Sequence, residues 1–265
     1  MRPGSSARVL RSGIAIITGL ILVAMAGCGS GDEPSTDAAA DRTELTILAA
    51  ASLTDSFTEI GSKFEQDHSG VTVRFSFGSS STLAQQVTEG APADVFASAN
   101  EDTMQSVVDA GLTRADPQLF VTNTLRIAVP AGNPGAVQGL EDFSDSNKKT
   151  ALCAEQVPCG AAAQEVFANA GITPQPVTYE KDVKAALQKV VQGEVDAALV
   201  YATDVAAAGD EVEGIDFDGS DAVVNNYPLA VLKESAHPEQ AQKFVDYVRS
   251  DTGQQILQQA GFGAP

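Results

Sequence analysis

Apolar positions along the chain switch repeatedly between two periods. An apolar and β-branched run, Leu45-Thr-Ile-Leu-Ala49, halts at Ala50-Ala51-Ser52, and Leu53, Phe57, Ile60 and Phe64 then recur three and four apart. The run predicts a buried strand and the recurrence an amphipathic helix. The unit repeats: Val71-Thr-Val-Arg-Phe-Ser-Phe77 predicts a strand, Gly78-Ser79-Ser80-Ser81 a turn, and Leu83 and Val87 the helix that follows. A short strand over 94–98 and a helix over about 100–110 close this first series. A second series opens at Leu125-Arg-Ile-Ala-Val129, stopped by Pro130. It continues through a strand at Thr150-Ala-Leu-Cys153, helices near 161–170 and 182–192, the strand Val195-Asp-Ala-Ala-Leu-Val-Tyr201 and a short helix over 204–208. Asn226-Tyr-Pro-Leu-Ala-Val-Leu232 predicts a further strand, and 238–260 one or two C-terminal helices. Such alternation predicts an α/β fold whose sheet is mixed but mostly parallel and covered by helices. Two small α/β lobes fit residues 44–265 better than one continuous sheet.

The N-terminal segment has a different pattern. Arg2, Arg8 and Arg11 precede an apolar run over 13–26, followed by Met25-Ala26-Gly27-Cys28-Gly29. A membrane-spanning helix needs roughly 20 apolar residues and a secretion signal about 7–15, so 1–28 reads as a signal peptide. The small residues before Cys28 resemble a bacterial lipobox, in which the Cys sulfur is acylated and becomes the new N-terminus. Met25 stands where a Leu is usual, and the alternative is an ordinary cleavage site beside a chance Cys. Residues 29–43 show no apolar periodicity and read as a flexible tether. The expected location is therefore the outer face of the cell membrane, by a lipid anchor.

Charge narrows the function classes. The chain carries 16 Lys+Arg against 35 Asp+Glu, a net charge of -19. Loss of 1–28 leaves 13 bases and a net charge of -22. Nucleic-acid binding needs clustered bases and is excluded as a function. His68 and His237 stand far apart without a nearby Cys, so no metal cluster is expected. With Cys28 lipidated, Cys153 and Cys159 remain as an even pair in an oxidising compartment, which favours a disulfide; two free buried thiols are the alternative. No Gly-x-Ser-x-Gly occurs and only two His are available as bases, which makes a secreted serine hydrolase the weaker alternative. The absence of a Gly-x-x-x-x-Gly-Lys loop places any ATPase on another chain.

The candidate chemistry lies at strand-to-helix junctions. Ala50-Ala51-Ser52-Leu53-Thr54-Asp55 and Gly78-Ser79-Ser80-Ser81-Thr82 each end a strand in Ser, and Ser52 with Asp55 has the form of a capping box. Each alone reads as a cap. Together, at the carboxyl ends of parallel strands, they place hydroxyls, free N–H groups and helix dipoles where open α/β sheets bind ligands. The second series offers Val157-Pro158-Cys159-Gly160, Glu180-Lys181-Asp182-Val183-Lys184 and Tyr201 at matching places. All of this is neutral donor chemistry. A fully ionised tetrahedral oxyanion presents only acceptors and suits such a pocket, whereas a protonated phosphate needs an acceptor for its own O–H. Sulfate, molybdate and tungstate are the expected guests.

Ala49-Ala-Ala-Ser-Leu-Thr54, Phe77-Gly-Ser-Ser-Ser-Thr-Leu83, Gly90-Ala-Pro-Ala-Asp-Val-Phe96 and Val200-Tyr-Ala-Thr-Asp204 fall in order along the globule. In these segments the chain resembles the molybdate-binding proteins of bacterial ABC importers, the ModA family. The resemblance implies a two-lobed periplasmic-binding-protein fold of type II, with 44–123 plus 226–265 as lobe I, 124–225 as lobe II, and crossovers near 123–126 and 224–228. It implies a monomeric receptor that is not an enzyme and has no cofactor. Its guest would be molybdate or tungstate, with a sulfate receptor of the same architecture as the rival, and its partners an importer permease and its ATPase. Carried over by position, Ser52 and Ser80 would donate from side chain and backbone, Cys159 and Val183 from backbone N–H, and Tyr201 from its phenol. Cys159 stands where Ala is common, which costs nothing if only the amide binds, and a Cys153–Cys159 bridge would steady that amide.

Overall fold

The computed structural model describes residues 42–265; the signal segment, Cys28 and residues 29–41 of the expected tether lie outside the described residues. The first strand begins one residue before the expected start of the fold. β1 (Thr43–Ala50) pairs in parallel with β2 (Val71–Gly78) on one side and β3 (Val95–Ala97) on the other. β9 (Val224–Val231) joins β3 antiparallel. Alternate residues of these strands serve two cores, as the two-residue strand period requires. Leu45, Ile47, Ala49, Val95, Ala97, Leu229 and Val231 face α1 (Thr54–Asp67), α7 (Pro238–Val248) and α8 (Asp251–Gln259). Leu48, Phe96 and Ala230 face α2 (Ser80–Thr88) and α3 (Glu101–Asp109).

β4 (Gln118–Pro130) runs from one lobe into the other. Its first half, from Gln118 to Thr124, pairs with β9, and its second half with β7 (Ala197–Tyr201) and β8 (Val212–Ile215), all antiparallel. The periodicity of 125–129 predicted only the second half, because Gln118, Thr122, Asn123 and Thr124 make the first half polar. β7 pairs in parallel with β5 (Thr150–Cys153), and β5 with β6 (Thr178–Glu180). α4 (Pro158–Ala170), α5 (Val183–Val191) and α6 (Ala202–Ala208) cover this second sheet. Their shared core centres on Phe143, Phe167, Val190 and Leu199. The result is a two-lobed α/β fold in which the carboxyl ends of β1, β2, β5 and β7 meet at the cleft.

Candidate functional site

Ser52, Ser80, Cys159, Val183 and Tyr201 all line one cavity between the lobes. Its volume of about 20 Å³ compares with the roughly 10–15 Å³ that admits one water, so it suits a single compact guest. Among the described residues no Lys or Arg lines it.

Each donor is set by the element that carries it. Ser79, not Ser80, caps α2, its hydroxyl accepting from the Thr82 N–H at 3.2 Å. Ser80 is thereby the first helical residue, where the N–H has no partner within the helix. Its hydroxyl oxygen accepts from the Ala99 N–H at 2.9 Å, which leaves its proton free to donate. Pro158 opens α4, and Cys159 is the next residue, with a second helix-start N–H that has no partner within the helix. The Cys153–Cys159 disulfide ties that residue to the end of β5. Gly160 is required beside it, because an added Cβ would sit 1.9 Å from the Ala154 carbonyl oxygen. Asp182 caps α5 by accepting from the Ala185 N–H at 2.8 Å, and Val183 supplies a third such N–H. Asp182 also borders the cavity, an acidic neighbour to the otherwise neutral set, with its carboxylate committed to the cap. Three helix N-termini thus surround one point, and their dipoles favour an anion there.

The structure corrects one reading of Ser52. It lies in a 3-10 turn over Ala51–Leu53 and caps nothing; the capping-box form with Asp55 is not realised. Its hydroxyl instead lies 2.9 Å from the Tyr227 hydroxyl. Asn123 Nδ2 donates to the Thr203 hydroxyl at 2.8 Å and to the Tyr227 oxygen at 3.4 Å. Either hydroxyl of the Ser52–Tyr227 pair can donate, and with Asn123 donating to the Tyr227 oxygen, the arrangement in which Tyr227 donates to Ser52 leaves the Ser52 proton free for a guest. Sequence reading missed Asn123 and Tyr227, both buried. The only local sign of Tyr227 was the polar pair Asn225-Asn226 before it in an otherwise apolar strand.

Tyr201 ends β7, is 1% exposed, and its hydroxyl makes no hydrogen bond of good geometry, with the Tyr227 hydroxyl as its neighbour. Burial, with smaller contributions from Tyr227 and Asp204, pushes its pKa well above the ordinary tyrosine value, so it remains a donor at any physiological pH. Asp204, also missed, is buried three residues on, and burial raises its pKa to about 6 despite the nearby Lys184 ammonium.

The profile described as "Bacterial extracellular solute-binding protein" matches residues 45–263. The molybdate-binding protein ModA of Mycobacterium tuberculosis is 38% identical over 252 residues, covering 94% of this chain and 97% of the relative. A Bacillus subtilis relative named as an ABC transporter substrate-binding lipoprotein, YvgL, is 35% identical, covering 95% and 96%. The solved periplasmic molybdate-binding protein of Azotobacter vinelandii superposes with a TM-score of 0.74 over 83% of this chain and 99% of that one, at 19% identity, a likeness of fold. These are receptors and not enzymes. Matched over nearly the whole of its described length, the chain belongs to the ModA family of bacterial extracellular solute-binding proteins.

Proposed function

We propose that this chain is a lipid-anchored extracytoplasmic receptor that closes its lobes on molybdate, or on tungstate, and delivers it to an ABC importer permease driven by its ATPase. The observation that carries the reading is Tyr201, whose buried hydroxyl makes no hydrogen bond of good geometry and which lines one cavity together with Ser52 and Ser80 of the other lobe. A buried phenol of this kind is costly unless an acceptor meets it. Free N–H groups at Cys159 and Val183 extend the donor set, and a tetrahedral dianion with only acceptor oxygens satisfies all of it. The relatives named for molybdate support that guest within the class, and the lipobox-like segment at Cys28 together with the lipoprotein name of YvgL supports the anchor.

Native mass spectrometry of the receptor, incubated with equal molybdate, tungstate, sulfate and phosphate, tests the reading. One molybdate or tungstate per chain is expected, with sulfate and phosphate left in solution. Preferential retention of sulfate would identify the rival receptor, and retention of none would remove the oxyanion assignment.

A further inference from the structure

Three charged groups outside the cavity wall belong to the same short segments that build it. Asp55 follows Ser52 by three residues, Lys184 follows Val183 directly, and Asp204 follows Tyr201 by three. Lys184 Nζ lies 3.0 Å from Asp55 Oδ2 on α1 and 3.4 Å from Asp204 Oδ1 on α6. α1 belongs to the first lobe; α5 and α6 belong to the second. The Asp204 side chain is inaccessible, whereas that of Asp55 is 67% exposed. Among the described residues, this is the only ion pair that joins the lobes.

Resting on the receptor reading, we propose that Lys184 is a latch, held on the second lobe by Asp204 and gripping Asp55 of the first lobe when the lobes close, so that the Lys184–Asp55 pair prolongs the loaded state. The two arms differ in kind. Lys184 and Asp204 both stand on the second lobe, 3.4 Å apart, so their pairing does not depend on closure. Asp55 sits on the opposite side of the cleft, and its bond to Lys184 requires α1 and α5 to approach. Burial works against the Lys184 charge, but Asp204 and Asp55 outweigh it and keep its pKa above the ordinary lysine value, so the latch stays charged. Lys184 does not touch the cavity, and it acts as a positioning residue through the closure that aligns Ser52 with Tyr201.

A double-mutant cycle on the full receptor tests this, with Asp55→Asn, Lys184→Gln and the double variant titrated with molybdate beside the parent. Each substitution alone also alters the field at a dianion, but such effects add and cancel in the cycle, leaving the pair itself. A pair made only on closure gives a coupling of about two- to fivefold in Kd, the range of a partly exposed ion pair. Asp55→Asn should show the loss as faster release in stopped flow, with association little changed. If Lys184→Gln fails to fold with Asp204 left unpaired, Asp55→Asn alone decides, because removing an acid near a dianion should slow release and losing the latch should hasten it, so release no faster than the parent's overturns the latch. A parent that binds molybdate while the coupling is absent overturns the latch alone. A parent that binds none of the four oxyanions overturns the receptor reading and the latch with it.

Discussion

Tyr201 makes a residue-scale prediction in which stability and binding move in opposite directions. Its hydroxyl is buried without a hydrogen bond of good geometry, and such a group costs the fold about 1–3 kcal/mol. Tyr201→Phe removes the oxygen and keeps the ring against Tyr227, whose centroid is 6.0 Å away. Scanning calorimetry of the guest-free protein should therefore show a midpoint raised by about 2–12 °C. Titration with molybdate should show affinity lowered roughly ten- to hundredfold, because hydrogen bonds to charged acceptors contribute about 1.5–3 kcal/mol. A phenol that serves only packing would leave affinity unchanged. Ser52 differs in this respect, since its hydroxyl already has Tyr227 as a partner and its removal strands a second buried group.

At the scale of elements, the β5–α4 junction holds the Cys159 amide by two independent means, the disulfide and the close seat of Gly160 on the Ala154 carbonyl. Replacing both Cys153 and Cys159 by Ala should lower the unfolding free energy by about 2 kcal/mol, the loop-closure value for so short a loop. Denaturant titration measures it. Molybdate affinity should fall by less than about tenfold, because Gly160 still fixes the first turn of α4. Most of these elements were legible in the sequence, since the strand and helix periods of 45–64 and 71–87 directly express which faces are buried. The junctions bearing Ser52, Ser80 and Tyr201 were legible for the same reason, whereas β6 before Val183 was not expected and the five residues were singled out by the family resemblance. What escaped was non-local: the polar first half of β4 is a strand only because β9 lies beside it. The Ser52–Tyr227 and Asn123–Thr203 contacts join residues 175 and 80 positions apart. Asp204 in sequence is an ordinary acid in a first helical turn, and only the packing of Tyr201 and Lys184 around it sets it apart.

For the molecule as a whole, charge opposes the proposed guest. A net charge of -19 over the full chain repels a dianion at long range, but a Debye length of about 8 Å at physiological salt confines that repulsion, and the helix dipoles at the cavity act within it. The same excess of acid makes self-repulsion grow as pH rises, so the pH dependence of stability has a general part and a part due to Asp204. Asp204 titrates near 6 in the fold against an ordinary 3.8. Between those values the folded state holds more protons on this group than the unfolded chain does, so its contribution to stability falls as pH rises through the window and is constant above it. The full loss is about 3 kcal/mol for a difference of this size. A well-paired carboxylate, with its pKa lowered on folding, would give the opposite slope. Asp204→Asn separates the two parts, because the general repulsion is nearly common to both proteins. The thermal midpoint of the parent, less that of Asp204→Asn, should decline from about pH 4 to about pH 6 and level off beyond. A difference that climbs over the same range would mean that Lys184 pairs with Asp204 strongly enough to overcome its burial, and the carboxylate would then belong among the groups that hold the fold together at neutral pH.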